Sequence, residues 1–200
     1  MRLLRLWPWA LAVSLGVAGG LATARWSTGE SAIERVPSRP EWTIDRFAGA
    51  EAAGMHTRAR IARIGLLALS RDEAMYYIAD RDADGRRLRE DCIYEVSGGE
   101  LPARWWSLTV YAQDRFLARN EDQAHSLGAA GLPRDAGADA WRIRLASARN
   151  GETPWLSVRN TDAPTLALRL YRPDAALRED PLGIALPRIE RRSCAAGRAP

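Results

Sequence analysis

The stretch Leu101–Asn120, LPARWWSLTVYAQDRFLARN, decides the fold. Its middle, Trp105 to Tyr111, has the β-branched, aromatic and alternating make-up of a strand built into a sheet. Successive side chains of a strand leave opposite faces. Trp106, Leu108 and Val110 therefore point toward an apolar core, while Trp105, Ser107, Thr109 and Tyr111 make a mixed aromatic and hydroxyl surface on the other side. Leu101-Pro102 ends the preceding loop, and Gln113-Asp114-Arg115 supplies the turn before Phe116-Leu117.

Downstream segments alternate in the same way. In WRIRL (141–145) Trp141, Ile143 and Leu145 face inward, and in LALRLY (166–171) Leu166, Leu168 and Leu170 do. Between them lie a Gly, Ala and Asp-rich loop over 128–139, the Asn150-Gly151 turn and the Trp155-Leu156 pair. Pro173 to Glu179 can form one or two helical turns, with proline at the first position. Upstream, Glu73 to Ala79 reads as extended, DRDADG (80–85) as a turn, and Cys92 to Val96 as a short strand ended by Ser97-Gly98-Gly99. Before these, MHTRARIARIGLLALS (55–70) is helical, with Ala59, Ala62, Leu66 and Leu69 at spacings of three or four. That helix is expected to cover the Trp105 face. Short strands, turn signals and one early helix predict a mainly β fold, an antiparallel β-sandwich or jelly-roll-like domain over residues 41–200.

Residues 1–26 read as a membrane anchor or signal segment, and 27–40, with Pro37 and Pro40, as a linker. Arg2 and Arg5 precede a 19-residue uncharged run, Leu6 to Ala24, about the minimum for a spanning helix. Trp7 and Trp9 suit one headgroup level and Arg25-Trp26 the other. The two arginines orient the N-terminus inward. The expected place is the bacterial inner membrane, single-pass, with the domain facing the periplasm. Ala22-Thr23-Ala24 also forms a small-x-small cleavage site, so the alternative is secretion to the periplasm after cleavage near Ala24.

A hydrophobic content of 46% supports a real core, and the formal charge of +4 needs apportioning. Residues 1–40 hold five arginines against Glu30 and Glu34, leaving 41–200 nearly balanced. No basic block points to nucleic acid. All 29 basic residues are arginine, which excludes any mechanism built on a lysine.

The order WWSLTVY, Phe116 to Asn120, Ser126-Leu127-Gly128, Trp155-Leu156 and LALRLY-x-Pro resembles the bacterial family catalogued as domain of unknown function 1214, in its short, membrane-anchored form without the larger partner domain. The sequence departs from the family pattern at Pro154, in place of the usual Asn, and at Arg172, in place of a second aromatic. The resemblance implies a β-rich fold and an unassigned activity.

Two histidines, His56 and His125, without paired cysteines, give no recognisable metal site, and no cofactor motif is present. Asp80, Asp82 and Asp84 look like part of a calcium loop, but its twelfth position is Asp91 rather than Glu, so a solvated turn is the better reading. In NEDQAHS (120–126) Asp122, His125 and Ser126 offer acid, base and nucleophile types. So close in sequence they make a triad with difficulty, and a loop capped by Asn120 and Ser126 is favoured. Trp141 and Trp155 read as core, whereas Trp105 and Tyr111 could form a platform for a sugar ring or an apolar ligand. The ligand-binding candidates are Trp105, Ser107, Tyr111, Asn120, His125 and Ser126. Cys92 and Cys194, the two cysteines, are expected to pair in an oxidising compartment. The functional expectation is a non-catalytic envelope domain binding a small ligand, a glycan or another envelope protein. The alternative is a periplasmic hydrolase using His125 with nearby carboxylates.

Overall fold

The computed structural model describes residues 7–27, 35–37, 40–45, 54–63, 69–132 and 140–195. Its N-terminal helix α1 (Trp7–Ser27) has no buried residue and is long and apolar enough to cross a membrane. Ten strands follow, with two short helices, α2 (Met55–Arg63) and α3 (Ala175–Glu179), among the described residues. The strands are β1 (Arg35–Pro37), β2 (Trp42–Asp45), β3 (Ala74–Ala79), β4 (Cys92–Gly98), β5 (Ala103–Tyr111), β6 (Ser126–Gly128), β7 (Trp141–Ala146), β8 (Trp155–Ser157), β9 (Thr165–Pro173) and β10 (Arg188–Cys194). They form a six-stranded sheet in the order β1-β2-β3-β9-β5-β6 and a four-stranded sheet in the order β10-β4-β7-β8.

The alternation read from the sequence is the burial seen. Trp106, Leu108 and Val110 of β5, Leu168 and Leu170 of β9, and Ile143 and Leu145 of β7 lie in one apolar core. The sheets meet there, and the Trp106 and Trp141 rings touch with centroids 4.6 Å apart. Gly98 makes this possible: a Cβ on it would lie 2.8 Å from Cζ2 of Trp141. Large buried aromatics keep their polar ends satisfied by loop carbonyls, as burial demands. Trp42 Nε1 donates to the Pro187 carbonyl at 2.6 Å, and the Tyr77 hydroxyl donates to that of Pro181 at 2.6 Å.

Three details depart from the sequence reading. The end of the presumed linker is a strand, since β1 pairs with β2. An edge strand tolerates Pro37 because one side of its backbone needs no ladder. The early helix α2 ends at Arg63, and residues 64–68 lie outside the described residues. Ala59 and Ala62, expected on its buried face, are exposed, so α2 does not bury them against the sheet. Pairing is antiparallel except between β7 and β8, which run parallel. Residues 147–154, with Gly151 at φ 83°, carry the chain back before β8 starts, and the Arg144 N–H donates to the Pro154 carbonyl. The expected cysteine pairing is present: β10 pairs along β4, with Cys194 opposite Cys92. Those two cysteines form a disulfide, S–S 1.98 Å.

Candidate functional site on the outer face of the large sheet

Residues of β5 that point away from the core meet partners set by register. Trp105 stands opposite Tyr171, Ser107 opposite Arg169 and Thr109 opposite Ala167, while Tyr76 of β3 flanks Arg169 on its other side. Arg169 thus occupies the middle of the outer face. Its guanidinium donates to Thr109 Oγ1 at 3.0 Å and to the Tyr111 hydroxyl, and lies over the Tyr111 ring at 5.5 Å from the centroid. Thr109 Oγ1 is in turn 2.9 Å from Ser126 Oγ on β6. These partners are all neutral, and no carboxylate pairs with Arg169 among the described residues. Tyr76 belongs to the same face, and its burial pushes the phenol pKa up, keeping it a neutral hydroxyl.

At one end of this face Trp105 is 42% exposed yet held in place. Its ring contacts Tyr171, centroids 5.1 Å apart and tilted by 41°, and lies on the backbone of Gly128. A Cβ at Gly128 would come within 2.6 Å of Trp105 Cζ2, so only glycine leaves room for the indole there. This gives the Ser126-Leu127-Gly128 element a steric purpose. Trp105 and Tyr171 line a groove of about 430 Å³ together with Glu73, Arg104 and Arg172. That volume lies within the range of small-ligand sites.

Arg172 has a left-handed backbone, φ 49°, within β9. Strand parity would place it on the core side with Leu168 and Leu170, yet it is exposed and lines the groove. Its N–H donates to the Glu73 carbonyl at 2.8 Å, which joins β9 to the start of β3 at the groove rim. Non-glycine residues in this conformation are strained, and such strain gathers at functional positions.

Of the sequence candidates, Trp105, Ser107, Tyr111 and Ser126 come together on this face, whereas Asn120 and His125 do not share their bonding network. Asn120 closes a loop: its Oδ1 accepts from the Asp122 N–H at 3.1 Å and its Nδ2 donates to the Arg159 carbonyl at 2.7 Å. Asp122 accepts from Ser157 Oγ at 2.6 Å and pairs with Arg159. The Ser157 hydroxyl first, and then the Arg159 guanidinium, hold its carboxyl below the usual carboxylate range. The His125 carbonyl accepts from the Val110 N–H at 2.8 Å, and the His125 Nδ1 is buried without a hydrogen-bond partner. No hydrogen bond joins Asp122, His125 and Ser126 among the described residues, so the acid, base and nucleophile types are not assembled as a triad.

The DRDADG turn is likewise structural, though less solvated than its sequence suggests. Asp82 is buried, accepts from the Asp84 and Arg86 N–H groups, and pairs with Arg191 of β10 at 2.8 Å. Among the described residues no group of three or more His, Cys, Asp or Glu side chains could hold a metal.

Arg104, Arg169, Tyr171 and Tyr76 escaped the sequence reading, and Arg172 entered it only as a departure from the family pattern. The alternation of LALRLY does put Arg169 and Tyr171 opposite the leucines. Nothing in the sequence, however, says that β9 lies between β3 and β5.

Two β-sheets around one core, with a polar and aromatic outer face on the larger, define a two-layer β domain. Within that class the chain belongs to the family described as protein of unknown function DUF1214, whose model matches residues 73–175. The fold is shared with a crystal structure of a protein from Vibrio parahaemolyticus, 23% identical, with a TM-score of 0.58 over 71% of this chain and 36% of that one. A crystal structure of an uncharacterised protein from Burkholderia cenocepacia is similar at 13% identity and a TM-score of 0.46, over 59% of this chain and 29% of that one. This chain therefore spans about a third of the length of either protein. No curated protein matches it.

Proposed function

We propose that the chain is a membrane-tethered domain on the periplasmic side of the bacterial inner membrane, and that it binds a ligand without catalysis at the Trp105 groove. The observation that carries this reading is the exposed Trp105 ring, fixed between Tyr171 and the backbone of Gly128 at the rim of a groove. A folded domain has no packing need to hold a large aromatic half in water, and a preformed stacking surface lowers the ordering cost of binding. The topology is supported by the span-length helix α1 and by a disulfide, which suits an oxidising compartment. Against the hydrolase alternative stand the separate engagements of Asp122 and Ser126.

The test uses the full-length chain in detergent, passed over immobilised bacterial envelope polysaccharide. The wild type is retained, and Trp105→Ala is retained roughly five- to tenfold less well, the loss expected of one stacking ring. Equal retention of the two proteins, or none of either, overturns the groove as the binding site. Protease digestion of intact spheroplasts tests the topology, and protection of residues 41–200 there overturns it.

A further inference from the structure

We infer that the ligand of this groove is an acidic saccharide, a sugar presenting its ring face to Trp105 and Tyr171 and a carboxylate to Arg104 and Arg172. The inference rests on the groove being the binding site. Its first support is charge. Of the groove's charged residues, Arg104 and Arg172 are cationic and Glu73 alone is anionic. Glu73 accepts from the Ser70 hydroxyl at 3.2 Å, and neither arginine side chain has a hydrogen-bond or ion-pair partner among the described residues. Arg169 adds a third guanidinium on the same sheet face, satisfied only by hydroxyls and a ring. A planar guanidinium fork matches a carboxylate through two parallel hydrogen bonds.

The second support is conformation. Arg172 reaches the groove only through a left-handed backbone, a conformation that glycine would adopt without strain. A merely solvated arginine gains nothing from it. The third is shape. The two rings are tilted at 41° and open to solvent, a surface that suits the C–H face of a sugar better than an enclosed apolar ligand.

Two probes separate charge from ring stacking: an oligogalacturonate and its fully methyl-esterified form, which has the same sugar faces and no charge. Both are titrated against the full-length protein in detergent by calorimetry. The acid binds, the ester binds at least roughly tenfold more weakly, and the difference shrinks as salt is raised. Arg172→Gly is the sharper variant. It removes the guanidinium and relieves the backbone, so binding of the acid falls roughly fivefold while Tm stays equal to or above that of the wild type. Arg104→Gln weakens the acid similarly and leaves the ester unaffected.

Equal binding of acid and ester, with both lost in Trp105→Ala, overturns the acidic class and leaves the groove reading intact. Binding of the acid that is undiminished in Trp105→Ala overturns both. Failure of the acid to bind overturns the acidic saccharide, and the polysaccharide retention experiment then judges the groove alone. A fall in Tm for Arg172→Gly without change in binding shows that Arg172 serves the fold.

Discussion

Replacing Gly128 with Ala adds one methyl group at the place where the Trp105 ring lies on the β6 backbone. Built on the existing backbone, that methyl meets Trp105 Cζ2 at 2.6 Å and Cε2 at 3.2 Å, so the ring must move. Gly128 itself has ordinary extended angles, φ −110° and ψ 165°, which alanine adopts without strain. Two opposing effects follow. Restricting the unfolded chain stabilises by about 0.5–1 kcal/mol, and overpacking costs about 1–3 kcal/mol. Trp105 is half-exposed and can swing outward, which places the cost toward the lower end. The net loss is therefore at most about 0.5 kcal/mol, a fall in Tm of no more than roughly 2 °C for a chain of this size. The decisive measurement is a double-mutant cycle, with thermal unfolding of the full-length protein followed by circular dichroism. In a Trp105→Ala background the clash is gone, and Gly128→Ala then stabilises by about 0.5–1 kcal/mol. The same substitution should weaken retention on envelope polysaccharide nearly as much as Trp105→Ala does. A Gly128→Ala penalty that is the same with and without Trp105 refutes the argument that glycine is there to seat the ring.

Two further outcomes follow from the bonding of the domain. The Cys92–Cys194 bridge closes a separation of 102 residues, worth at most on the order of 4–5 kcal/mol in the chain-entropy account, so the Cys92→Ser/Cys194→Ser variant should melt well below the wild type. Two titratable thiols in unreduced, denatured protein would refute the bridge. Asp122 has a folded-state pKa below its unfolded value, so its contribution is present above the usual carboxylate range and is lost as pH falls through the lowered value. Wild type should therefore exceed Asp122→Asn in Tm near neutral pH, and the gap should close only as pH falls below the usual carboxylate range. A gap that is constant with pH would show that the Ser157 and Arg159 contacts do not act through the carboxylate charge.

What the sequence determined is local and periodic. Alternation in WWSLTVY, WRIRL and LALRLY marked the core faces, because a strand's period of two assigns each side chain to one side whatever its neighbours are. Asp84-Gly85 and Asn150-Gly151 marked turns through glycines that adopt positive φ, 77° and 83°. The count of two cysteines in a chain with an apolar N-terminal segment indicated their pairing. Sequence order of motifs pointed to the family that residues 73–175 match. The groove belongs to the tertiary structure. Facing is a property of one strand, but partnership is a property of two, and strand order and register join residues far apart in the chain. Only the β9–β5 pairing sets Tyr171 beside Trp105 and Arg169 beside Ser107, and only the β5–β6 pairing brings Gly128 under the indole. Arg172 shows the limit most clearly. Its parity in the sequence assigns it to the core, and a single left-handed residue, held by a hydrogen bond to Glu73, turns it out to the groove instead.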